Sequence, residues 1–434
     1  MMTATLSLLP VTPPGPVLIA YSGGMDSTVL LHALAAMQAY RDHGLRALHV
    51  HHGLHADADA WAAQCQRTCD ALGVPLQIVH VQVARDSGLG LEAAARQARH
   101  AAFADALACG QWLALAHHRD DQAETFLLRA LRASGPDGLA AMRAQRPFAA
   151  GTLWRPLLAH ARTELHAYAH AHGLRWIDDS SNADPRYDRN FLRTAVLPVL
   201  QQRWPQASEA LARSAQLSAD AGDLLLHDDL ALLPALLTRR GALDLQLLAA
   251  QPAARQPRLL RAWANAAGAP PLPAQGVAAL LREIDLPAPD RQACFAWQQV
   301  QVRRWRQCLY LLRPTATWPA QWSAYWDGAQ PLQLPDGAEL ALHAPQALRF
   351  AHPLLVRARH GGERIVLPQR SHSHRLKHLL QASDLPPWQR ERLPILCDGA
   401  QVLAAGDRIV SGALHAWLQD NHASLHWQAS SQAN

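Results

Sequence analysis

The first group of residues in the chain that could bind a ligand is Ser22-Gly23-Gly24-Met25-Asp26-Ser27, and the ligand it suits is an anion. They follow the apolar run 17–21 and open a helical pattern, so backbone N–H groups and the positive end of a helix would surround an anion there. The glycines allow close backbone approach, and the serines add hydroxyl donors. A Walker A phosphate loop would need a lysine, and the chain's only lysine is Lys377. The alternative interpretation is a glycine turn that caps a helix.

A second polar group, His117-His118-Arg119-Asp120-Asp121-Gln122-Ala123-Glu124-Thr125, ends the apolar run that begins at Trp112. Asp121 and Glu124 are three residues apart and would share one face of a helix, so the pair suits a metal ion or a cationic substrate. Asp120 and Asp121 also favour a helix N-terminus. A simple helix cap with a favourable dipole interaction is therefore the alternative.

Two arginines, Arg189 and Arg193, are four residues apart and would lie on one helical face, where they suit a phosphate or a developing negative charge. They follow the polar stretch 178–182, and a polar loop that caps a helix is the alternative. Upstream, His49 belongs to the second apolar run, near the place where an adenine or ribose would be held. It is equally well explained as a histidine of a β-strand.

A basic strip lies far from these residues in the sequence. Between Arg357 and Lys377 there are six basic side chains and one acidic one, Glu363, with four histidines among or beside them. Such a strip suggests binding to the phosphate backbone of a nucleic acid, and the alternative is a solvated basic surface. Its members are Arg357, Arg359, Arg364, Arg370, Arg375 and Lys377.

The first half of the chain alternates strand-like and helical patterns, and these elements must position the polar groups. Strands are predicted at 17–21, 47–51, 76–81 and 112–117, and helices at 26–40, 57–72 and 89–109. This alternation is typical of an α/β fold with a parallel, doubly wound sheet. The ligand crevice of such a sheet lies beyond the carboxyl ends of the strands, where the polar groups fall.

The pattern changes twice further on, which predicts three domains: a catalytic domain at 1–205, a mainly helical domain at 206–315 and a small α+β domain at 330–434. A linker rich in proline and tryptophan precedes the third. In the middle domain, helices are expected at 209–237, 257–267 and 276–284, and a strand or hairpin at 298–312. The third domain shows short β-like runs and one helix near 376–382.

Composition excludes several classes of protein. A hydrophobic fraction of 49% with only 17% charged residues excludes a largely disordered chain. No apolar run approaches the roughly 20 residues that span a bilayer, and residues 1–16 lack the basic residues of a signal or transit peptide, so a cytoplasmic protein is expected. The six cysteines form no CxxC pair and are expected to be free thiols, and no zinc site is predicted from the histidines.

The glycine string resembles the SGGxDS loop of the PP-loop ATPase superfamily, whose members cleave ATP between the α and β phosphates. The HxxDDxxET string from His117, the D-x-SN…RNxxR arrangement from Asp179 and the GGERI…LPPWQR sequence from Gly361 resemble the tRNA(Ile)-lysidine synthetase family of long form. The helix that bears Arg96 and Arg99 also resembles a block of this family. The resemblance reaches from about residue 17 to 410, although the middle domain matches mainly by position and length.

The resemblance implies a reaction and its participants. ATP adenylates the C2 oxygen of the wobble cytidine in an isoleucine tRNA with a CAU anticodon. The side-chain amine of free lysine then displaces AMP, so that the tRNA reads AUA instead of AUG. ATP and Mg²⁺ are the implied cofactors, no membrane is involved, and related proteins suggest a homodimer. How the methionine tRNA with the same anticodon is rejected stays open.

The resemblance also assigns roles to residues of this sequence. ATP would be bound by Ser22, Gly23, Gly24, Met25, Asp26, Ser27 and His49. Magnesium would be bound by Asp26 and Asp120. The ammonium groups of lysine would meet Asp121 and Glu124, and one of these or a nearby carboxylate could accept a proton as the amine attacks. Phosphate charge or tRNA would be met by Arg96, Arg189 and Arg193, and tRNA also by Arg364, Arg370, Arg375 and Lys377.

Two alternatives differ in class. A tRNA thiolase of the same superfamily would need persulfide cysteines or a Cys-bound iron–sulfur cluster, and the CxxC pairs of such enzymes are missing from this sequence. A non-catalytic module that binds nucleotide or RNA would not need the carboxylates. Because Asp26, Asp120, Asp121 and Glu124 are all present, the enzyme is the preferred interpretation.

Overall fold

A computed structural model describes residues 9, 15–84, 90–178, 186–285, 294–313, 318–319, 321–383 and 385–428. The chain divides into two compact units, Met1–Leu225 and Leu226–Asn434. The division into domains at 205 and near 315–330 stays a prediction. Within the described residues, no helix combines the length and the apolar character needed to cross a membrane.

The first unit is built on a six-stranded sheet in the order β3-β2-β1-β4-β6-β5. All neighbours pair in parallel except β5 and β6, which form an antiparallel hairpin at one edge. The strands are β1 (Val17–Ala20), β2 (Arg46–His51), β3 (Leu76–His80), β4 (Trp112–Ala114), β5 (Gln145–Phe148) and β6 (Gly151–Trp154). The four predicted strands and the α/β class are thus confirmed, whereas the edge hairpin was not predicted.

Helices cover both faces of this sheet. Leu18 and Ile19 are consecutive residues of β1 and therefore point to opposite faces, yet both are fully buried, in separate apolar clusters. Such two-sided burial is typical of a parallel sheet with crossover helices. The helices between residues 25 and 236 are α1 (Met25–Ala35), α2 (Gln38–Asp42), α3 (Ala58–Leu72), α4 (Leu91–Ala106), α5 (Arg119–Leu131), α6 (Pro136–Leu139), α7 (Arg162–Ala171), α8 (Asp188–Phe191), α9 (Leu197–Arg203) and α10 (Ala207–Leu236), of which α10 extends past the end of the first unit.

The helix predicted over 26–40 is interrupted. It ends at Ala35, and α2 begins again after Met37, whose backbone is extended. Tyr40 is buried and its ring stacks parallel to Trp154 of β6, with 6.3 Å between the ring centroids. This long-range contact favours the break, and periodicity within the sequence does not reveal it.

The first part of the second unit combines helices with a four-stranded antiparallel sheet in the order β7-β10-β9-β8. The three predicted helices and the hairpin are confirmed, but β7 and β8 add strands to a domain that was expected to be mainly helical. The elements are β7 (Leu243–Asp244), α11 (Leu245–Ala249), α12 (Gln256–Ala266), α13 (Ala274–Asp285), β8 (Cys294–Trp297), β9 (Val300–Trp305) and β10 (Cys308–Leu312).

The last part of the chain forms three small sheets, in the orders β11-β14-β17-β18-β19, β12-β13-β20 and β15-β16. The predicted helix is confirmed as α14 (Leu376–Ala382), and two further helices, α15 (Pro387–Arg390) and α16 (Gly412–Asp420), were not predicted. The strands are β11 (Ser323–Trp326), β12 (Leu332–Gln333), β13 (Glu339–His343), β14 (Leu354–Arg357), β15 (Arg364–Val366), β16 (Ser373–Arg375), β17 (Ile395–Asp398), β18 (Gln401–Ala405), β19 (Ile409–Val410) and β20 (Ser424–Gln428).

Candidate active site

The glycine loop joins β1 to α1, at the carboxyl edge of the sheet. Gly23 has a φ of +85°, and a Cβ atom there would lie 2.5 Å from Cδ1 of Ile177 and 2.8 Å from Sγ of Cys65. Only glycine fits this position, because both the backbone conformation and the space exclude a side chain. The backbone N–H of Ile177 also donates to the Gly23 carbonyl at 2.9 Å, which fixes the loop from outside.

The hydroxyl groups of the loop bond to one another and to the backbone. Ser22 Oγ lies 3.0 Å from Ser27 Oγ, and Ser27 Oγ donates to the Gly24 carbonyl at 3.0 Å. Met25 is buried, so the loop is anchored in the core. No side chain of the described residues caps the start of α1, so the first N–H groups of this helix have no side-chain acceptor. The loop can therefore receive an anion such as a phosphate.

His49, at the carboxyl end of β2, supports the loop from below. Its Nδ1 donates to the backbone carbonyl of Tyr21 at 3.0 Å, and Sγ of Cys65 lies 3.5 Å from the same nitrogen. Burial lowers the pKa of His49, so the ring is neutral near pH 7. This geometry gives His49 a role in holding the loop, and a direct contact to nucleotide stays a prediction.

The start of α5 brings the predicted carboxylates to the loop. His118 is the N-cap residue of α5. Its ring Nδ1 accepts from the backbone N–H of Asp121 at 3.4 Å, and the backbone N–H of His118 donates to Asp121 Oδ2 at 3.0 Å. His118 is 1% exposed, and its Nε2 lies 3.7 Å from Asp26 Oδ2 and 3.5 Å from Asp121 Oδ2. Asp120 lies 3.7 Å from the other ring nitrogen and accepts from the backbone N–H of Arg162 at 2.8 Å.

Asp26 has the least satisfied carboxylate of this group. Its Oδ1 is buried and has no hydrogen-bond partner among the described residues. Burial raises the pKa of Asp26, His118 opposes that rise, and the neighbouring Asp121 adds to it. A carboxylate that is crowded against another and has one bare oxygen suits a cation.

Arg193 binds the other two carboxylates. Its Nε donates to Glu124 Oε1 at 2.6 Å, and its Nη2 donates to Glu124 Oε2 at 3.1 Å and to Asp121 Oδ1 at 3.0 Å. Burial raises the pKa of Glu124, and Arg193 opposes the rise. Burial would raise the pKa of Asp121 too, but the two preceding histidines, a backbone hydrogen bond and Arg193 together lower it. Asp121 is therefore ionised near pH 7.

The chain around Arg193 is a single π-helical turn, Leu192–Val196, between α8 and α9. Arg189 donates from Nη2 to the hydroxyl of Thr125 at 2.9 Å, so both arginines contact side chains of α5. Their role toward phosphate or developing negative charge stays a prediction. Residues 179–182 of the preceding polar stretch lie outside the described part of the chain.

A further pair of residues at the site, His117 and Arg155, received no role from the sequence. His117 Nδ1 accepts from Nε of Arg155 at 3.2 Å, and burial lowers the pKa of His117 to about 3. The positive charges of Arg155, Arg189 and Arg96 contribute to this shift, which places the exposed Arg96 within electrostatic range of the site. Arg155 directly follows β6, so its place at the carboxyl end of a strand is the signal that could have pointed to it.

The basic strip divides into two sets in the structure. Arg357 Nη1 donates to Glu363 Oε1 at 3.2 Å, and Arg359 lies 3.8 Å from the same buried carboxylate. These two arginines therefore complete a structural ion pair and do not belong to an open surface. The remaining four basic residues are exposed, and no carboxylate of the described residues lies within ion-pair distance of them: Arg364, Arg370, Arg375 and Lys377.

Arg364 and Arg375 are directly opposite each other in the antiparallel pair of β15 and β16, so their side chains share one face. Arg364 is tied across the hairpin by hydrogen bonds from Nε to Ser373 Oγ at 2.8 Å and from Nη2 to the Ser373 carbonyl at 2.7 Å. Like charges at such a position destabilise a sheet. An anion that binds there would remove this cost.

A strand, a lysine-free glycine loop and an uncapped helix start, with carboxylates beside them, define a PP-loop enzyme that uses ATP. A family model of the PP-loop domain matches residues 4–200 of the chain. Two further models match later parts of the chain: the TilS substrate binding domain at 243–310 and the TilS substrate C-terminal domain at 354–427.

Similar proteins cover the whole chain. The tRNA(Ile)-lysidine synthase of Xanthomonas axonopodis pv. citri (strain 306) is 77% identical over 98% of this chain and 97% of its own length. Those of Xanthomonas campestris pv. campestris (strain 8004) and Xylella fastidiosa (strain 9a5c) are 69% and 56% identical, over 98% and 99% of both chains. The chain belongs to the tRNA(Ile)-lysidine synthase family, as its motifs predicted.

Proposed function

We propose that this chain ligates lysine to C2 of the wobble cytidine of a CAU-anticodon isoleucine tRNA, at the expense of ATP. The cytidine C2 oxygen attacks the α-phosphorus and diphosphate leaves. The lysine amine then forms a bond to C2, AMP leaves with the former cytidine oxygen, and the amine loses a proton. The observation that carries the proposal is the full-length similarity to lysidine synthases, combined with an anion loop beside a carboxylate cluster.

Activation by ATP is chemically necessary, because the oxygen of a cytosine carbonyl is a very poor leaving group. The glycine loop supports this step, since Gly23 and Gly24 let the backbone approach closely and Ser22 and Ser27 supply hydroxyl donors. We assign the diphosphate part of ATP to this loop. His49 and Met25 hold the loop in place, whatever contact they make with the nucleotide.

Magnesium fits the residues present, and we assign it to Asp26 with Asp120 as the second candidate. The buried, unpartnered Oδ1 of Asp26 is the observation that supports this assignment. No group of three or more potential metal ligands occurs among the described residues, as expected for an ion that usually binds one or two carboxylates and keeps phosphate and water ligands. When bound, magnesium neutralises phosphate charge.

Free lysine is the proposed second substrate, and Asp121 is the first candidate for its ammonium groups. Glu124 is fully buried and both its oxygens accept from Arg193, so it contributes to the site mainly through that arginine. One of these carboxylates, or a neighbouring one, would accept the proton of the attacking amine. Arg193, Arg189 and Arg96 supply positive charge for phosphate or tRNA.

The C-terminal residues Arg364, Arg370, Arg375 and Lys377 are proposed to bind the tRNA backbone. Their exposure, the absence of carboxylate partners within the described residues, and the opposed pair on β15 and β16 support this role. A cytoplasmic location also stays a proposal, and so does a homodimer, which rests on the family resemblance.

A tRNA thiolase is not favoured. Burial raises the pKa values of both Cys65 and Cys69 to about 12, so neither thiol is a ready nucleophile. A non-catalytic module is not favoured either, because it would not need a cluster of four carboxylates crowded beside the loop.

The test is AMP release from ATP, measured with lysine and tRNA(Ile) together and with each omitted in turn. We expect AMP only when tRNA and lysine are both present, because AMP stays bound to the cytidine until the lysine amine displaces it. AMP release that does not depend on lysine, or no AMP release at all, would contradict the proposal. A matched reaction with the methionine tRNA, which has the same CAU anticodon, controls for specificity.

A further inference from the structure

His118 makes two kinds of contact that belong to different tasks. Its Nδ1 accepts from the backbone N–H of Asp121 and so caps α5. Its Nε2 faces two carboxylates, Oδ2 of Asp26 at 3.7 Å and Oδ2 of Asp121 at 3.5 Å. Asp26 belongs to α1 and Asp121 to α5, so a single buried ring bridges the two helices that form the site.

The cap distinguishes the two ring nitrogens. Because Nδ1 accepts a hydrogen bond from a backbone N–H, Nε2 is the ring nitrogen left to interact with a further group. Nε2 lies between the Asp26 and Asp121 carboxylates, within ion-pair distance of one oxygen of each.

The two oxygens of Asp26 differ in their surroundings. Oδ2 lies 3.7 Å from His118 Nε2, whereas the buried Oδ1 has no hydrogen-bond partner among the described residues. A carboxylate that is oriented at one oxygen and bare at the other resembles a metal ligand with an outer-shell donor, since such donors fix the orientation of ligating groups.

We propose that His118 is a positioning residue that orients Asp26 through Oδ2, so that Oδ1 is presented to the magnesium ion of bound ATP. This inference rests on the proposed role of Asp26. The competing explanation is that His118 only caps α5. Two substitutions separate these roles, because each retains a different half of the histidine.

The variant His118→Asn keeps an acceptor near the place of Nδ1, and asparagine is among the best N-cap residues, but its side chain is too short to reach Asp26. The variant His118→Gln places its amide nitrogen near the position of Nε2 but loses the acceptor that caps the helix. The first variant removes the contact with Asp26, and the second removes the cap.

The readout is equilibrium binding of ATP by calorimetry over a range of magnesium concentrations, together with the thermal midpoint of the full-length protein. For His118→Asn we expect at least about a tenfold rise in the magnesium concentration that gives half-maximal ATP binding, with a nearly unchanged thermal midpoint. For His118→Gln we expect a magnesium dependence within about threefold of the wild type and a midpoint lowered by about 2–4 °C.

The reverse pattern, in which His118→Asn binds like the wild type and His118→Gln does not, would overturn the inference and leave only the cap. Equal weakening of ATP binding in both variants would also overturn it. The variant Asp26→Asn tests the underlying assignment: if it keeps the magnesium dependence of the wild type, the proposed role of Asp26 fails. If Asp26→Asn loses that dependence and His118→Asn keeps it, only the inference about His118 fails.

Discussion

The carboxylate cluster at the start of α5 and the basic strip near β15 and β16 are both rich in charge, yet they are built on opposite physical terms. His118, Asp121 and Glu124 are buried, and each contacts a group of opposite charge or a backbone donor. In the strip, Arg364 and Arg375 are exposed and opposed to each other. A buried charge needs a partner within the folded protein, whereas an exposed charge stays solvated until an oppositely charged ligand binds.

Low solvent access strengthens each electrostatic interaction in the cluster, so a single substitution there changes catalysis or stability. In the strip, water and salt weaken each charge, so tRNA affinity depends on the sum of several arginines and falls with salt concentration.

The largest effect is expected at Asp26. The variant Asp26→Ala should lower AMP formation by at least about 100-fold, because it removes the proposed cation ligand next to the phosphates. Filter binding should show nearly unchanged tRNA affinity, since the strip is untouched. Asp70→Ala, on an exposed face of α3, is the matched control and should keep its activity. Equal loss of tRNA affinity in Asp26→Ala would break the separation between the regions.

The second effect concerns stability. Arg193→Ala leaves Glu124 and Asp121 without their guanidinium partner in a buried site, and we expect a loss of about 3 kcal/mol in the free energy of unfolding by urea. The contrasting variant, Arg375→Ala, removes an exposed arginine and should change stability by less than about 0.5 kcal/mol. If the two variants lose similar stability, the distinction between paired buried charge and unpaired exposed charge is wrong.

The third effect belongs to the strip. Replacing Arg364, Arg370 and Arg375 together by alanine should make the fall of log tRNA affinity with log salt concentration less steep. The magnitude of the negative slope should decrease by about 2–3 in total, at about 0.7–0.9 per lost phosphate contact. The control is Arg349→Ala, which removes an exposed arginine 3.6 Å from Asp327. A salt slope that stays the same in the triple variant would show that the strip does not contact RNA.

The smallest effect is a pH dependence of stability. Burial raises the pKa of Asp26, so the folded state disfavours its charged form, and stability falls as pH rises through the raised pKa. The variant Asp26→Asn cannot ionise, so without magnesium its thermal midpoint should exceed that of the wild type at pH 7. The gain should vanish as pH falls below the ordinary aspartate pKa. A gain that persists at low pH would assign it to another cause.

Much of the catalytic fold could be predicted because apolar runs such as Val17–Ala20 are buried on both faces and are local in sequence. The hairpin of β5 and β6 could not, since Pro147 and two polar residues within it do not read as a strand. The helix α16 was not predicted, because it begins with Gly412. Its N-cap is Ser411, whose Oγ accepts from the backbone N–H of Leu414.

The site shows the same limit. The loop and the carboxylates could be predicted because each is a compact motif, but the partner of Glu124 lies 69 residues away in a π-helical turn, and only the fold brings Arg193 to it. The capping role of His118 could not be predicted, because histidine is not a usual N-cap residue. In the strip, the sequence could count six basic residues but could not tell that Arg357 and Arg359 face the buried Glu363.

The most direct test of the central claim is mass analysis of the nucleosides of tRNA(Ile) after incubation with the protein, ATP, magnesium and lysine. We expect the wobble cytidine to gain the mass of lysine less one water, with one AMP formed per modified tRNA. An unmodified cytidine despite AMP release, or a mass gain that does not require lysine, would contradict it.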